Sequence, residues 1–195
     1  MKTTCILLII ILLIPFVNGC GALRSLTTKH FDFDYTVSNP AVFDSPTGTP
    51  DGEALVTSTY ATIADDLVNK FDKYHGGIDW AGLKYNAQLQ RGDEVRLKLM
   101  ASLNAPIGSG MNIELPDNAA LISDITLTSA DNTIIKDETT IGNRNEALRT
   151  FLEDTLDNSN GMFKVYIYFI VTSPTGGRLV VKDISISGRA HGSLF

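Results

Sequence analysis

Phe163-Lys164-Val165-Tyr166-Ile167-Tyr168-Phe169-Ile170-Val171 decides the fold class. Phe163, Val165, Ile167, Phe169 and Val171 are all apolar. Side chains of a β-strand point alternately to two faces, so these five share one face and bury it. Tyr166, Tyr168 and Ile170 make the other face partly apolar too, which predicts a central strand or one covered by a helix. Ser173-Pro174-Thr175-Gly176-Gly177 turns the chain. Val180, Ile184 and Ile186 then repeat the pattern, with Lys182 breaking it. The expectation is a C-terminal hairpin over residues 162–190, with Phe169 fully buried and Tyr168 less important.

Working outward, the same period recurs. Phe31, Phe33, Tyr35 and Val37 alternate with Asp32, Asp34 and Thr36, giving a strand with one buried face. Residues 38–52 carry Pro40, Pro46, Gly48, Pro50 and Gly52 and read as a loop. Val56, Tyr60, Ile63, Leu67, Phe71 and Tyr74 recur at spacings of three and four. That predicts an amphipathic helix within Glu53–Tyr74, although the Thr-rich residues 54–62 also suit a strand. Leu83, Tyr85, Ala87 and Leu89 alternate up to Arg91-Gly92-Asp93, and Val95, Leu97, Leu99, Ala101 and Leu103 alternate after it. Two such runs around a short turn read as a hairpin. Residues 104–118 read as loop, and strands return at Ala120–Thr128 and Thr133–Lys136, joined by Asp131-Asn132. A second helix opens with Asn143 as cap and Glu146 three residues on, places Leu148, Phe151, Leu152 and Leu156 on one face, and stops at Asn160-Gly161.

About seven strands with turn signals between them predict a mainly β domain. The expected form is an antiparallel two-sheet sandwich, of which the immunoglobulin-like arrangement is one, with two accessory helices. The clean apolar faces favour antiparallel pairing. The rival architecture is a single sheet covered by both helices.

The N-terminal residues give an address. After Met1-Lys2-Thr3-Thr4, residues 5–17 are apolar apart from being interrupted by Pro15. This run is too short to span a bilayer as a helix and has the length of a signal-peptide core. Val17, Gly19 and Cys20 follow it with the spacing of the lipobox, and the segment resembles the leader of bacterial lipoproteins. The resemblance covers only the first twenty residues. It implies cleavage before Cys20, acyl chains on that cysteine, and firm membrane attachment through two or more chains. Gly21 and Ala22 stand where an aspartate would retain the protein at the inner membrane, which favours the outer membrane in a cell with two. The organisation is then leader 1–19, tether 20–29 and one domain over 30–195.

The only cysteines are Cys5, in the leader, and Cys20. The mature body therefore has no thiol for a disulfide, a zinc–cysteine site or a cysteine nucleophile. The chain carries 22 acidic against 16 basic residues. That balance suits neither the phosphate backbone of nucleic acid nor an anionic lipid surface.

Few residues suggest chemistry. Asp32 and Asp34 lie on one face of one strand, close enough to share a cation or act as a carboxylate pair, but alternating polar residues are ordinarily a solvated face. His30, His75 and His191 form no zinc motif, and His75 and His191 are assigned surface or capping roles. Gly108-Ser109-Gly110 is not a nucleophile elbow, and Gly176-Gly177 lacks the lysine and helix of a phosphate loop. Arg91-Gly92-Asp93 resembles the integrin-binding tripeptide, yet turn residues are needed there in any case. Trp80, in the loop-like stretch Gly76–Gly82, is the aromatic residue to watch as a binding surface, although core packing is the commoner role of an aromatic. No cofactor is implied. The leading expectation is a non-catalytic envelope lipoprotein that binds a protein or a glycan or supports an assembly. The rivals are an envelope hydrolase or metal-dependent enzyme with a site drawn from distant residues, and a carrier holding an apolar ligand between sheet and helix.

Overall fold

A computed structural model of the chain describes residues 28–37, 40–45, 48, 54–63, 76–109, 112–139, 144–158 and 163–192. The strands are β1 (Lys29–Thr36), β2 (Ala41–Ser45), β3 (Leu55–Ile63), β4 (Gly77–Arg91), β5 (Glu94–Ser102), β6 (Ile107–Ser109), β7 (Asn112–Glu114), β8 (Ala120–Thr128), β9 (Thr133–Asp137), β10 (Phe163–Thr172) and β11 (Gly177–Gly192). The helix α1 spans Glu146–Asp157.

These strands form two sheets. One runs β1-β11-β4-β9, with β2 also pairing β11 beyond the end of β1. The other runs β6-β7-β3-β10-β5-β8. All pairings are antiparallel except a single parallel bridge between Val56 and Asn112. The two sheets enclose one core, so the two-sheet sandwich holds and the single-sheet rival does not. From one side come Leu83, Tyr85, Ala87 and Leu89 of β4; from the other, Val165, Ile167, Phe169 and Val171 of β10. The rings of Phe43 and Phe169 meet across the core at 6.1 Å. The hydroxyls of Tyr85 and Ser123 hydrogen-bond between the sheets at 2.8 Å.

Several expectations are corrected. Both hairpins are absent. β4 and β5 belong to different sheets, as do β10 and β11, so Arg91–Glu94 and Ser173–Gly177 carry the chain across the core. Period two shows that a run is a strand, but not whether its neighbour pairs beside it or faces it. The two crossings touch. Gly92 has φ +108°, and a Cβ there would lie 2.5 Å from the Gly176 carbonyl oxygen, which excludes a side chain. β8 and β9 likewise change sheet through residues 129–132.

The predicted helix within Glu53–Tyr74 is strand over Leu55–Ile63, and its later part, residues 64–74, lies outside the described residues. The β-branched residues Val56, Thr57 and Thr59 lose side-chain freedom in a helix and suit a pleated surface. Thus one helix, not two, is present among the described residues. None is long and apolar enough to cross a membrane. The loop over 38–52 contains β2, which buries Ala41 and Phe43, and the loop over 104–118 contains β6 and β7. Gly77–Gly82 begins β4 and is not loop.

In β11 the inward residues are Leu179, Val181, Ile184 and Ile186, with Val180 turned outward. A bulge at Lys182–Ser185, with Asp183 at φ +55°, inverts the alternation between them. Lys182 marked that break in the sequence.

α1 buries Leu148, Leu152 and Leu156 against β4 and β8. Its cap is Asn145, whose Oδ1 accepts from the Leu148 amide at 2.9 Å. The expected cap, Asn143, lies outside the described residues.

Candidate functional site

β1, β11 and β4 are adjacent strands, and their register assembles the site. Asp32 lies opposite Arg189 and Asp34 opposite Ser187; Arg189 in turn lies opposite Trp80. The intervening Phe33, Gly188 and Ala81 are buried. Alternation therefore raises Asp32, Asp34, Ser187, Arg189 and Trp80 from the outer face of the sheet. They line an open depression of about 390 Å³, together with Phe33 and Gly188. The three residues singled out in the sequence thus come together. Trp80 is half-buried, neither a core residue nor a free one.

Arg189 holds Asp32 with two bonds, Nε donating to Oδ1 at 2.7 Å and Nη2 to Oδ2 at 3.3 Å. This fork is the bidentate geometry that makes guanidinium–carboxylate pairs specific. The hydrogen bond from Arg189, and then the charges of Arg189 and His30, hold the Asp32 carboxyl below the usual carboxylate range. Because its folded-state value lies under the unfolded one, the pair contributes to stability above the unfolded value. That contribution fades as pH falls through the folded value. In an NMR titration of side-chain carboxyls, Asp32 is expected below the usual range and to rise into it in Arg189→Ala. A midpoint unmoved by the substitution would show that the ion pair does not set it.

Asp34 is exposed and has no ion-pair or hydrogen-bond partner among the described residues. Over the Trp80 ring lies the Arg144 guanidinium, 5.8 Å from its centroid, within the range of cation–π attraction. Arg144 comes from the segment that enters α1.

A second polar cluster borders the depression. His30 lies opposite His191 in the β1–β11 register, with ring centroids 6.1 Å apart. The Nδ1 of His30 donates to Asp79 Oδ2 at 2.8 Å, and that of His191 donates to Asp79 Oδ1. Asp79 reaches them because β4 bulges there: Arg189 pairs with Trp80 and Ala190 with Ile78, leaving Asp79 as the extra residue. A bulge re-aims a side chain in this way.

The sequence reading missed this cluster, assigning His191 a surface or capping role and His30 none. It also missed Arg189, Ser187 and Arg144. Only Lys182 and the Gly-flanked His191 hinted at irregular strands, and neither names a partner. His75 and Cys20 lie outside the described residues. Ser109 sits in β6 with its side chain undescribed. Arg91 of the Arg-Gly-Asp turn is held by Asp44 at 2.6 Å. Among the described residues, no three His, Asp or Glu side chains converge to hold a metal ion.

A further depression of about 360 Å³ is lined by Asn104, Ala105, Ile107, Glu114, Leu115, Pro116 and Asp117. It contains no aromatic ring and no cation, so it offers fewer means of fixing a polar ligand.

No protein-family model and no curated protein matches the chain. In structure it is similar to the family 11 carbohydrate-binding module from Clostridium thermocellum in complex with a β-1,3-1,4-mixed-linked tetrasaccharide, at 16% identity over 84% of this chain and 89% of that one, TM-score 0.33. It is also similar to a family 30 carbohydrate-binding module, at 9% identity over 78% and 82%, TM-score 0.37. A third similar structure is that of Desmodium yellow mottle tymovirus, at 12% identity over 85% and 86%, TM-score 0.28. These overlaps are slight, and the sandwich stands on the strand pairings of this chain.

Proposed function

We propose that the domain is a non-catalytic glycan-binding module. One observation carries the reading: Trp80 shares an open depression with Asp34, Ser187 and the Asp32–Arg189 pair. An indole offers a rigid apolar face at low entropic cost. Around it stand a carboxylate, a hydroxyl and a guanidinium, which can meet ring hydroxyls as acceptor and donors. An apolar platform edged by fixed polar groups suits a sugar, which is apolar on its ring faces and polar at its rim. The interior between the sheets is filled by Phe43, Phe169 and their neighbours, so the site for a ligand is the outer face and not the core.

Arg189 lowers the Asp32 pKa, so Asp32 does not suit the acid role in glycoside hydrolysis, which needs a raised pKa.

The test is binding of the mature protein to a panel of oligosaccharides, by array and then calorimetry. Trp80→Ala is expected to weaken binding about tenfold or more, the equivalent of about 1.4 kcal/mol, while leaving the unfolding curve intact. Unchanged binding would remove the depression as the site.

We further propose that Cys20 carries lipid and holds the module at the cell envelope. The lipobox spacing of Val17, Gly19 and Cys20 supports this. Cys20→Ser is expected to abolish incorporation of labelled palmitate and to release the protein from membranes. Equal label on both forms would overturn the assignment.

A further inference from the structure

We infer that the depression selects glycans bearing a free amino group; this rests on the glycan-binding reading above. The charges decide it. Asp32 is neutralised by Arg189, leaving the unpartnered carboxylate of Asp34 as the open charge lining the depression. The indole of Trp80, two strands away in the sheet but lining the same depression, already draws a cation. Arg144 is exposed, makes no ion pair among the described residues, and lies over the Trp80 ring. Its guanidinium shows that the ring attracts a cation.

A π-face and a free carboxylate lining one depression both favour an ammonium there, because the ring quadrupole and the negative charge act in the same direction. A neutral sugar gains only hydrogen bonds from Asp34, and a uronic acid is repelled by it. A glucosamine-type unit, protonated at its amine, gains both attractions and can still stack its ring. Arg144 then repels a ligand ammonium near the ring, so it costs affinity and does not supply it.

The experiment titrates the mature protein with three probes at pH 6 and low salt: a chitosan hexamer, its fully N-acetylated counterpart, and an oligogalacturonate. The chitosan hexamer is expected to bind about tenfold more tightly than the acetylated one, the sum of an exposed ion pair and a cation–π contact. The margin should shrink as salt is raised. Asp34→Asn is expected to bring the two within about twofold, chiefly by weakening the chitosan hexamer. Arg144→Ala is expected to strengthen binding of the chitosan hexamer several-fold. Equal binding of both hexamers by the unaltered protein, or a preference that survives Asp34→Asn, would overturn the amine selectivity but leave glycan binding standing. Binding of poly-lysine with no oligosaccharide bound would overturn both, by making the ligand a basic protein.

Discussion

Phe169→Ala is expected to cost about 3–5 kcal/mol, the usual range for emptying a buried aromatic position. Phe169 is fully buried on β10, and its ring meets Phe43 of the opposite sheet. β10 is paired on both sides, by β3 and β5, so neighbouring strands cannot close readily on the cavity. A domain is typically stable by about 5–15 kcal/mol, and the loss is therefore a large part of the whole. Tyr168, on the other face, was expected to matter less, but it too is fully buried. Its hydroxyl donates to the Asn104 carbonyl at 2.8 Å, and burial raises its pKa. Tyr168→Ala is accordingly expected to cost as much as Phe169→Ala within about 1 kcal/mol, whereas Tyr168→Phe, which drops one hydrogen bond, should cost about 1 kcal/mol. Urea unfolding of the three variants measures this. A cost under about 1.5 kcal/mol for Phe169→Ala would mean that the two sheets do not meet there.

Alternation in β10, β5 and β1 was legible because one face of each meets the core and the period is two. Pairing was not legible, because a strand facing its chain neighbour across a core shows the same alternation as one beside it. Arg91-Gly92-Asp93 looked like a hairpin turn for that reason. β2 was hidden by the prolines and glycines around it, although Ala41-Val42-Phe43 itself alternates. In β3 the spacings of Val56, Tyr60 and Ile63 imitated a helix, while the β-branched residues between them argued for strand. The bulge in β11 showed only as Lys182 out of phase.

The site was half legible. Asp32, Asp34 and Trp80 each stood out as residue types, but they lie on strands separated by some fifty residues of chain. Their meeting depends on the β1–β11–β4 register. Arg189, which decides the charge balance, had no local signal: an arginine on the solvated face of a strand is ordinary. Asp79 depended on a bulge, and a bulge has no sequence mark when the residue is not glycine.

Asn145→Ala is expected to cost about 2–4 kcal/mol, more than the loss of a helix cap alone. Asn145 is buried and uses every group it has. Its Oδ1 accepts from the Leu148 amide, and its Nδ2 donates to the Ile122 carbonyl at 2.6 Å and to Glu138 Oε2 at 2.7 Å. Its own amide donates to the Ala81 carbonyl at 2.9 Å. One residue thus ties α1 to β4 and β8 and supplies a donor to the buried Glu138, whose other partner is Lys136 at 3.1 Å. Removing a cap costs about 0.5–2 kcal/mol, and leaving a buried carboxylate short of a donor costs about 1–3 more. Aspartate separates these contributions. It caps helices as well as asparagine does, yet here it would set a second carboxylate against Glu138 and donate to neither Glu138 nor Ile122. Asn145→Asp is therefore expected to be at least as damaging as Asn145→Ala at neutral pH, the reverse of its rank at an exposed cap. Urea unfolding gives the totals, and hydrogen exchange at the Leu148 amide reports the cap itself. If Asn145→Asp is tolerated within about 0.5 kcal/mol, the helix is held by its leucines alone, and the network at Glu138 contributes nothing to docking it.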